Sequence, residues 1–297
     1  MKVEVRDLVD ESRAHWTEPG LARPVRTTVW RPDSAGPAPL VLLSHGTGGA
    51  VEDLSWLAEA LAARGYAVAG VDHHGNTSVE PYVAEAFAWW WDRPRDLSVV
   101  LDHLSADPGI DVGRVGVAGF SLGGYTATAI LGGRLAPDRL RSLLDNLELI
   151  PLPEYPGLAD ELLQRYGAAR ATAIIMSACR VDVCDRRVRA AFTMAPVLGI
   201  ALDPASLAAI DLPLHVVWGD ADDIAIPALG AHILLEMVPG ATGHSLAAVG
   251  HYGFTDDAAV QYDVVADAVA FFDRCLVVPT EKMRPTTVRP RSTSPRG

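Results

Sequence analysis

The chain has 297 residues, of which 49% are hydrophobic and 21% are charged, enough for one large globular domain with a substantial core. Its 25 Lys and Arg against 37 Asp and Glu give a formal net charge of −12, which argues against a nucleic-acid-binding or anionic-membrane surface. No apolar run reaches the length of a membrane span, and the charged residues 1–7 are unlike a secretory signal. We therefore expect a cytoplasmic protein with neither nucleic acid nor membrane as a partner.

The first part of the chain alternates strand and helix patterns. Residues 3–9 and 27–30 predict short edge strands, whereas the unbroken apolar run 40–44 predicts a central parallel strand. Apolar residues at helical spacing between Leu54 and Ala62 predict a helix, and residues 66–71 predict another buried strand. This order favours a parallel sheet with right-handed crossovers.

A glycine-rich loop, residues 45–49, follows the first central strand. It lacks the G-x-G-x-x-G spacing and the lysine of nucleotide-binding loops, so nucleotide binding is not favoured. At the carboxyl end of a strand, such a loop could instead point the backbone N–H of Thr47 at a reacting oxygen. His45 is expected to order this loop rather than to act as a base.

Residues 72–92 form a loop that is too long for a simple connection. Its adjacent residues His73 and His74 invite a metal interpretation, but neighbouring histidines rarely bind one ion together and no third ligand is evident, so we predict no metal site. Three consecutive tryptophans, 89–91, cannot all face inward. One or two should join the core, while Trp89 and Trp90 are candidates for lining an apolar substrate pocket; packing alone is the alternative.

The motif Gly-Phe-Ser-Leu-Gly at residues 119–123 lies between the apolar run 115–118 and a helical pattern at 125–131. A serine in so tight a strand-to-helix turn is held clear of the sheet at a helix N-terminus, as in a nucleophile elbow. The backbone N–H groups of Leu122 and Thr47 would then form an oxyanion hole for Ser121. The alternative is an ordinary glycine-rich turn with a solvated serine.

Residues 136–188 interrupt the strand and helix alternation with short helical patterns separated by prolines, two of them at 158–166 and 168–176. This pattern predicts a helical lid inserted between strands. Cys179 and Cys184 lie in this segment, and Cys275 lies near the end of a long helix that Asp256 is predicted to cap. Three cysteines without a Cys-x-x-Cys pair are expected to be reduced structural thiols. Residues 279–297 are rich in Pro, Ser, Thr and Arg and are expected to be disordered.

A carboxylate and a histidine follow the last two predicted strands, residues 214–218 and 242–249. Asp222 is favoured over Asp223 and Asp220 as the acid that orients a histidine. His251 is favoured over His244 as the base, because His244 would lie within the last strand. The order Ser121, Asp222, His251 is then nucleophile, acid and base.

The chain resembles α/β-hydrolases, and more narrowly the predicted dienelactone-hydrolase and platelet-activating-factor-acetylhydrolase-like esterases. The segments that carry the resemblance are SHGTGG (44–49), VDH (71–73), RPRDL (93–97), GFSLGG (119–124), GDADDIAIP (219–227) and GHY (250–252). It implies an α/β-hydrolase domain over residues 1–278, with a mostly parallel doubly wound sheet and the lid at about 136–188. It also implies cofactor-free hydrolysis of a small-molecule ester, lactone or thioester, and it supports Asp222 and His251 as partners of Ser121.

Two features leave the function open. Dienelactone hydrolases use a cysteine nucleophile where this chain has Ser121, so dienelactone itself is not the expected substrate. The alternatives are an acyltransferase or cyclase that uses the same acyl-enzyme, favoured if the lid and tryptophan loop exclude water, and a non-catalytic binding module built on the same scaffold.

Overall fold

A computed structural model describes residues 1–33, 36–145 and 152–276. Its centre is one eight-stranded sheet with the order β1-β2-β4-β3-β5-β6-β7-β8. The strands are β1 (Lys2–Ala14), β2 (Ala22–Arg31), β3 (Ala38–Ser44), β4 (Ala67–Asp72), β5 (Ile110–Phe120), β6 (Val188–Met194), β7 (Leu214–Gly219) and β8 (Thr242–Leu246). The hairpin β1–β2 and its junction with β4 are antiparallel, and all other pairs are parallel.

Helices cover both faces of the sheet. They are α1 (Ser55–Ala63), α2 (Ala84–Ala88), α3 (Asp92–Leu104), α4 (Leu122–Ile130), α5 (Pro137–Leu144), α6 (Leu158–Tyr166), α7 (Ala168–Met176), α8 (Pro204–Ala208), α9 (Ala231–Met237), α10 (Gly253–Asp256) and α11 (Ala258–Leu276). Side chains of α1, α10 and α11 form one apolar core, and those of α2 to α9 form a second core. The apolar residues of β3 are fully buried between the two cores. The prediction of a mostly parallel, doubly wound sheet is therefore confirmed.

The boundaries of the outer elements differ from the sequence-based expectations. Strand β1 lies at the edge of the sheet as predicted, whereas the expectation of an edge strand at residues 27–30 is wrong, because β2 lies between β1 and β4. Both strands are longer than predicted, since they pair with each other along an antiparallel ribbon. Strand β8 ends at Leu246 rather than at residue 249, since Ala248 has a φ of 58° and its N–H turns to donate to Asp220 Oδ1 at 2.6 Å. The predicted cap Asp256 is wrong: it lies in α10, and Asp257 Oδ1 accepts the N–H of the second residue of α11 at 2.8 Å.

Helices α5, α6 and α7 occupy the segment predicted as a lid, between α4 and β6. Helices α6 and α7 have the bounds that the sequence predicted, because glycine and proline residues delimit them. None of the helices that the structure describes is long and apolar enough to cross a membrane. The predicted disordered tail, 279–297, lies outside the described residues.

Candidate active site

The turn between β5 and α4 holds Ser121 in an unusual backbone conformation, with φ 55° and ψ −116°. Its N–H donates to the Met194 carbonyl at 2.8 Å. A Cβ on Gly119 would lie 2.0 Å from the Gly123 carbonyl oxygen, and a Cβ on Gly123 would lie 1.9 Å from that of Ser44. Both glycines are therefore required by backbone-to-backbone contact, and the turn has the geometry of a nucleophile elbow.

Ser121, His251 and Asp222 form one hydrogen-bonded chain. His251 Nε2 lies 3.0 Å from Ser121 Oγ, and His251 Nδ1 lies 2.8 Å from Asp222 Oδ2. The other carboxylate oxygen of Asp222 accepts the N–H groups of Ile224 and Ala225 at 3.0 and 2.7 Å. All three residues of the chain are at most 5% exposed. Such an arrangement fixes the imidazole tautomer and allows its free nitrogen to take a proton from the hydroxyl.

The rival acids and base lie elsewhere. Asp220 accepts a backbone N–H from the loop after β8, and Asp223 lies in the wall of a cavity beside Ser121. His244 is on β8, where its Nε2 lies 3.2 Å from Asp267 Oδ2. Of the candidates weighed from the sequence, Asp222 and His251 are the two that the structure brings to Ser121.

Thr47 and Leu122 flank Ser121 in the wall of the same cavity. Leu122 opens α4, and the first N–H groups of a helix have no acceptor within it. Within the described residues, no acceptor takes the N–H of Thr47 either. Both groups are thus available to an oxygen atom bound beside Ser121.

Buried polar side chains hold the loop that carries Thr47. Asn76 Oδ1 accepts the N–H of Gly48 at 2.7 Å, and Arg93 donates to the carbonyl oxygen of His45 and to Asn76 Oδ1. Burial lowers the pKa of Arg93 to about 9, although Asp96 opposes this shift. The role of Asn76 escaped sequence reasoning, because its contact depends on how two loops meet; its only signal is a polar residue in an unusually long loop.

His45 is fully buried and spans the two loops, as its Nε2 accepts the N–H of His73 at 3.2 Å and its Nδ1 bonds to the Gly46 carbonyl. His73 in turn lies between Ser44 Oγ and Asp96 Oδ2, both at 2.9 Å. This second serine, histidine and carboxylate chain is 0% exposed, so no substrate reaches it. It acts in the packing of the loops, and the expectation that His45 orders its loop agrees with these contacts.

A cavity of about 690 Å³ opens beside Ser121 and extends under the segment predicted as a lid. Its size is typical of small-molecule sites. The lining is mainly apolar and comes from α2, α5, α6, α7 and the loops near them: Phe87, Ala88, Trp90, Leu144, Leu152, Pro153, Tyr155, Pro156, Leu158, Ala159, Leu162, Ile175, Val197, Leu198 and Ile224.

A second, smaller cavity of about 260 Å³ also borders Ser121 and shares Thr47 and Glu154 with the first. Its lining includes His251 and the carboxylates of Asp53, Glu154 and Asp256. Glu154 contributes to both cavities and accepts a hydrogen bond from Tyr252 Oη at 2.9 Å. The site thus has an apolar and a polar compartment that meet at Ser121.

The three tryptophans have different environments. Trp90 lines the large cavity and donates its indole N–H to the Phe87 carbonyl at 2.7 Å. Trp91 is 6% exposed in the core. Trp89 is not among the lining residues; its ring packs against Trp16, Trp91 and Tyr166 because the chain turns at the end of α2. The three cysteines are all free thiols.

Comparisons with known proteins find similarity to hydrolases. A family model described as serine aminopeptidase, S33, matches residues 35–144. The chain is 27% identical over 195 residues to a Bacillus subtilis (strain 168) protein named "Putative esterase YitV", a match that covers 64% of this chain and 70% of the relative.

Solved structures with this fold include a ferulic acid esterase from Streptomyces cinnamoneus, with 21% identity, a TM-score of 0.64 and coverage of 98% of this chain and 93% of that one. A dienelactone hydrolase from Anabaena variabilis is 15% identical with a TM-score of 0.55, over 93% of this chain and 100% of that one. The chain therefore has the α/β-hydrolase fold.

Proposed function

We propose that the protein is a serine esterase that hydrolyses a carboxylic ester through an acyl-enzyme on Ser121. The observation that carries this proposal is the hydrogen-bonded chain from Ser121 Oγ through His251 to Asp222, beside a cavity into which two backbone N–H groups open. The esterase named among the relatives supports the same reaction class.

In the first half of the reaction, His251 Nε2 takes the hydroxyl proton as Ser121 Oγ forms a bond to the ester carbonyl carbon. The carbonyl oxygen becomes an oxyanion, which accepts hydrogen bonds from the N–H groups of Thr47 and Leu122. Asp222 holds the Nδ1–H and stabilises the imidazolium. When the tetrahedral intermediate collapses, the carbon–oxygen bond to the alcohol breaks, and His251 gives its proton to the departing alcohol oxygen.

Water then completes the cycle. His251 takes a proton from a water molecule whose oxygen attacks the acyl carbon. The second oxyanion accepts hydrogen bonds from the same two N–H groups. Collapse breaks the bond between the acyl carbon and Ser121 Oγ, which recovers its proton from His251. The products are a carboxylic acid and an alcohol, and the enzyme returns to its starting protonation state.

The two cavities suggest which part of the substrate lies where. The alcohol oxygen must reach His251 to be protonated, and His251 lines the small cavity. The acyl group then enters the large apolar cavity, whose walls include Thr47 and Leu122. We infer a substrate with a bulky apolar acyl group, since about 690 Å³ far exceeds the needs of an acetyl group.

The charge of the small cavity limits which alcohol group the substrate can carry. Among the described residues that line it, three carry a carboxylate and none is a lysine or an arginine, so an anionic alcohol would be repelled. A neutral or positively charged alcohol is favoured. Hexanoyl esters of choline and of glycolate, compared at equal concentration, test this inference, and faster turnover of the glycolate ester would contradict it.

Turnover of p-nitrophenyl hexanoate tests the proposal itself. We expect Ser121→Ala to lower kcat by at least about 10³-fold, because the nucleophile is lost, while Ser177→Ala, an exposed serine on the lid segment, retains activity. A loss of less than tenfold on Ser121→Ala would refute the proposal. Aminoacyl p-nitroanilides belong in the same assay, because the matched family model is described as an aminopeptidase; preferential amide cleavage would replace the esterase assignment.

A further inference from the structure

Two histidines and an aspartate meet on the face of the sheet that α11 covers. Strands β7 and β8 are parallel, with His215 opposite Thr242 and Val217 opposite His244. Because side chains alternate along a strand, His215 and His244 lie on the same face, one diagonal step apart. Asp267 of α11 faces them, and one ligand atom from each of the three side chains lies within 4.8 Å of the others.

His215 is arranged as a metal ligand would be. Its Nδ1 lies 2.8 Å from Thr242 Oγ1, which fixes the ring orientation and can hold the ring proton there. Its Nε2 is buried and has no hydrogen-bond partner among the residues that the structure describes, an arrangement that costs free energy unless something occupies the site. Rings of Phe192 and Phe271 pack against the imidazole at centroid distances of 5.4 and 5.7 Å.

We propose that His215, His244 and Asp267 bind a divalent transition-metal ion of the zinc class. Two imidazole nitrogens and one carboxylate oxygen are ligands that zinc accepts, with a fourth position left to water. Tetrahedral zinc at about 2.0–2.1 Å from each ligand needs ligand atoms about 3.4 Å apart. The side chains of His244 and Asp267 are 43% and 36% exposed, so they can rotate to close the remaining gap.

The site is separate from the proposed active site. None of its three residues lines either cavity beside Ser121. The ion would connect β7, the edge strand β8 and α11, and thereby brace the two strands that precede Asp222 and His251. Its expected effect is on the stability of this edge of the sheet, since a ligand that binds only the folded state raises the unfolding midpoint.

Calorimetric titration of the full-length, chelator-treated protein with zinc chloride tests the proposal. We expect one ion bound at this site and a rise of several degrees in the melting temperature at saturating zinc. His244→Ala and Asp267→Asn should each weaken the affinity at least about tenfold and remove most of the melting shift. His103→Ala is the matched control, because His103 is an exposed histidine on α3 whose Nδ1 bonds to the Val99 carbonyl of the same helix.

Two results would overturn the proposal: absence of zinc binding at millimolar concentration, or binding by both variants with the affinity of the unaltered protein. The second result would point to another ligand set, such as one that includes the exposed Cys184. Circular dichroism of the metal-free proteins shows whether each variant is folded. Should His244→Ala misfold, Asp267→Asn decides alone, since it keeps the size of the side chain.

Discussion

Filling the large cavity should change the acyl-chain preference of the enzyme. Burial of one methylene contributes about 0.8 kcal/mol, and a change of about 1.4 kcal/mol in the activation free energy alters kcat/KM tenfold. Each added CH₂ can therefore raise kcat/KM by up to about fourfold. The hexanoate has four more methylenes than p-nitrophenyl acetate, so its kcat/KM can be up to about 200-fold higher. Ala159 on α6 lines the cavity, and Ala159→Trp places an indole where the distal methylenes would lie.

We expect Ala159→Trp to lower kcat/KM for the hexanoate at least about tenfold and for the acetate by less than about threefold, because the short acyl group remains near Ser121. Ala169→Trp is the matched control: this alanine is exposed at the start of α7 and does not line the cavity. Initial rates across the C2 to C8 series measure the effect. An unchanged hexanoate to acetate ratio in Ala159→Trp would refute the placement of the acyl group in this cavity.

Three further predictions concern the site and the fold. Asp222→Asn should lower kcat by about 10³–10⁴-fold, because an amide cannot hold the required tautomer or stabilise the imidazolium. Gly123→Ala should lower kcat by at least about 10²-fold, since the added Cβ would lie 1.9 Å from the Ser44 carbonyl oxygen and must displace the turn. Burial, helped by the charge of Arg93, lowers the pKa of His73 to about 3. The unfolded chain therefore takes up a proton below about pH 6.5 that the folded protein does not, and urea midpoints should fall as the pH drops from 7 to 4.5.

Each of these three predictions has a control variant or a result that would contradict it. Asp263→Asn changes an exposed aspartate on α11 and should leave kcat unaltered, so a similar loss in both aspartate variants would contradict the role of Asp222. The added Cβ of Gly157→Ala would meet no atom within 4 Å, so this variant should leave kcat unaltered. A fully active Gly123→Ala would show that the turn tolerates a side chain. A urea midpoint independent of pH would contradict a neutral, buried His73.

The central part of the fold could be predicted because its signals are local. Apolar runs indicate buried parallel strands, glycines mark the turn around Ser121, and prolines and glycines delimit α6 and α7. Ser121, Asp222 and His251 each follow a strand of one parallel sheet, which places all three side chains at its carboxyl edge.

The features that escaped prediction depend on contacts between distant segments. Whether Trp89 or Trp90 faces the cavity is decided by the turn at the end of α2, and the contact of Asn76 with Gly48 depends on how two loops pack. The extent of β1 follows from its pairing with β2 rather than from its own apolar content. The proximity of His215 and His244 likewise arises from strand register, which periodicity alone cannot supply.

The proposed mechanism requires Ser121 to carry the acyl group. Intact-protein and peptide mass spectrometry tests this requirement after reaction of the protein with a fluorophosphonate analogue of a hexanoyl ester. We predict one adduct per chain, on the peptide that contains Ser121, with loss of esterase activity in proportion to labelling and no adduct in Ser121→Ala. An active esterase that is not labelled, or one labelled equally in Ser121→Ala, would contradict the account.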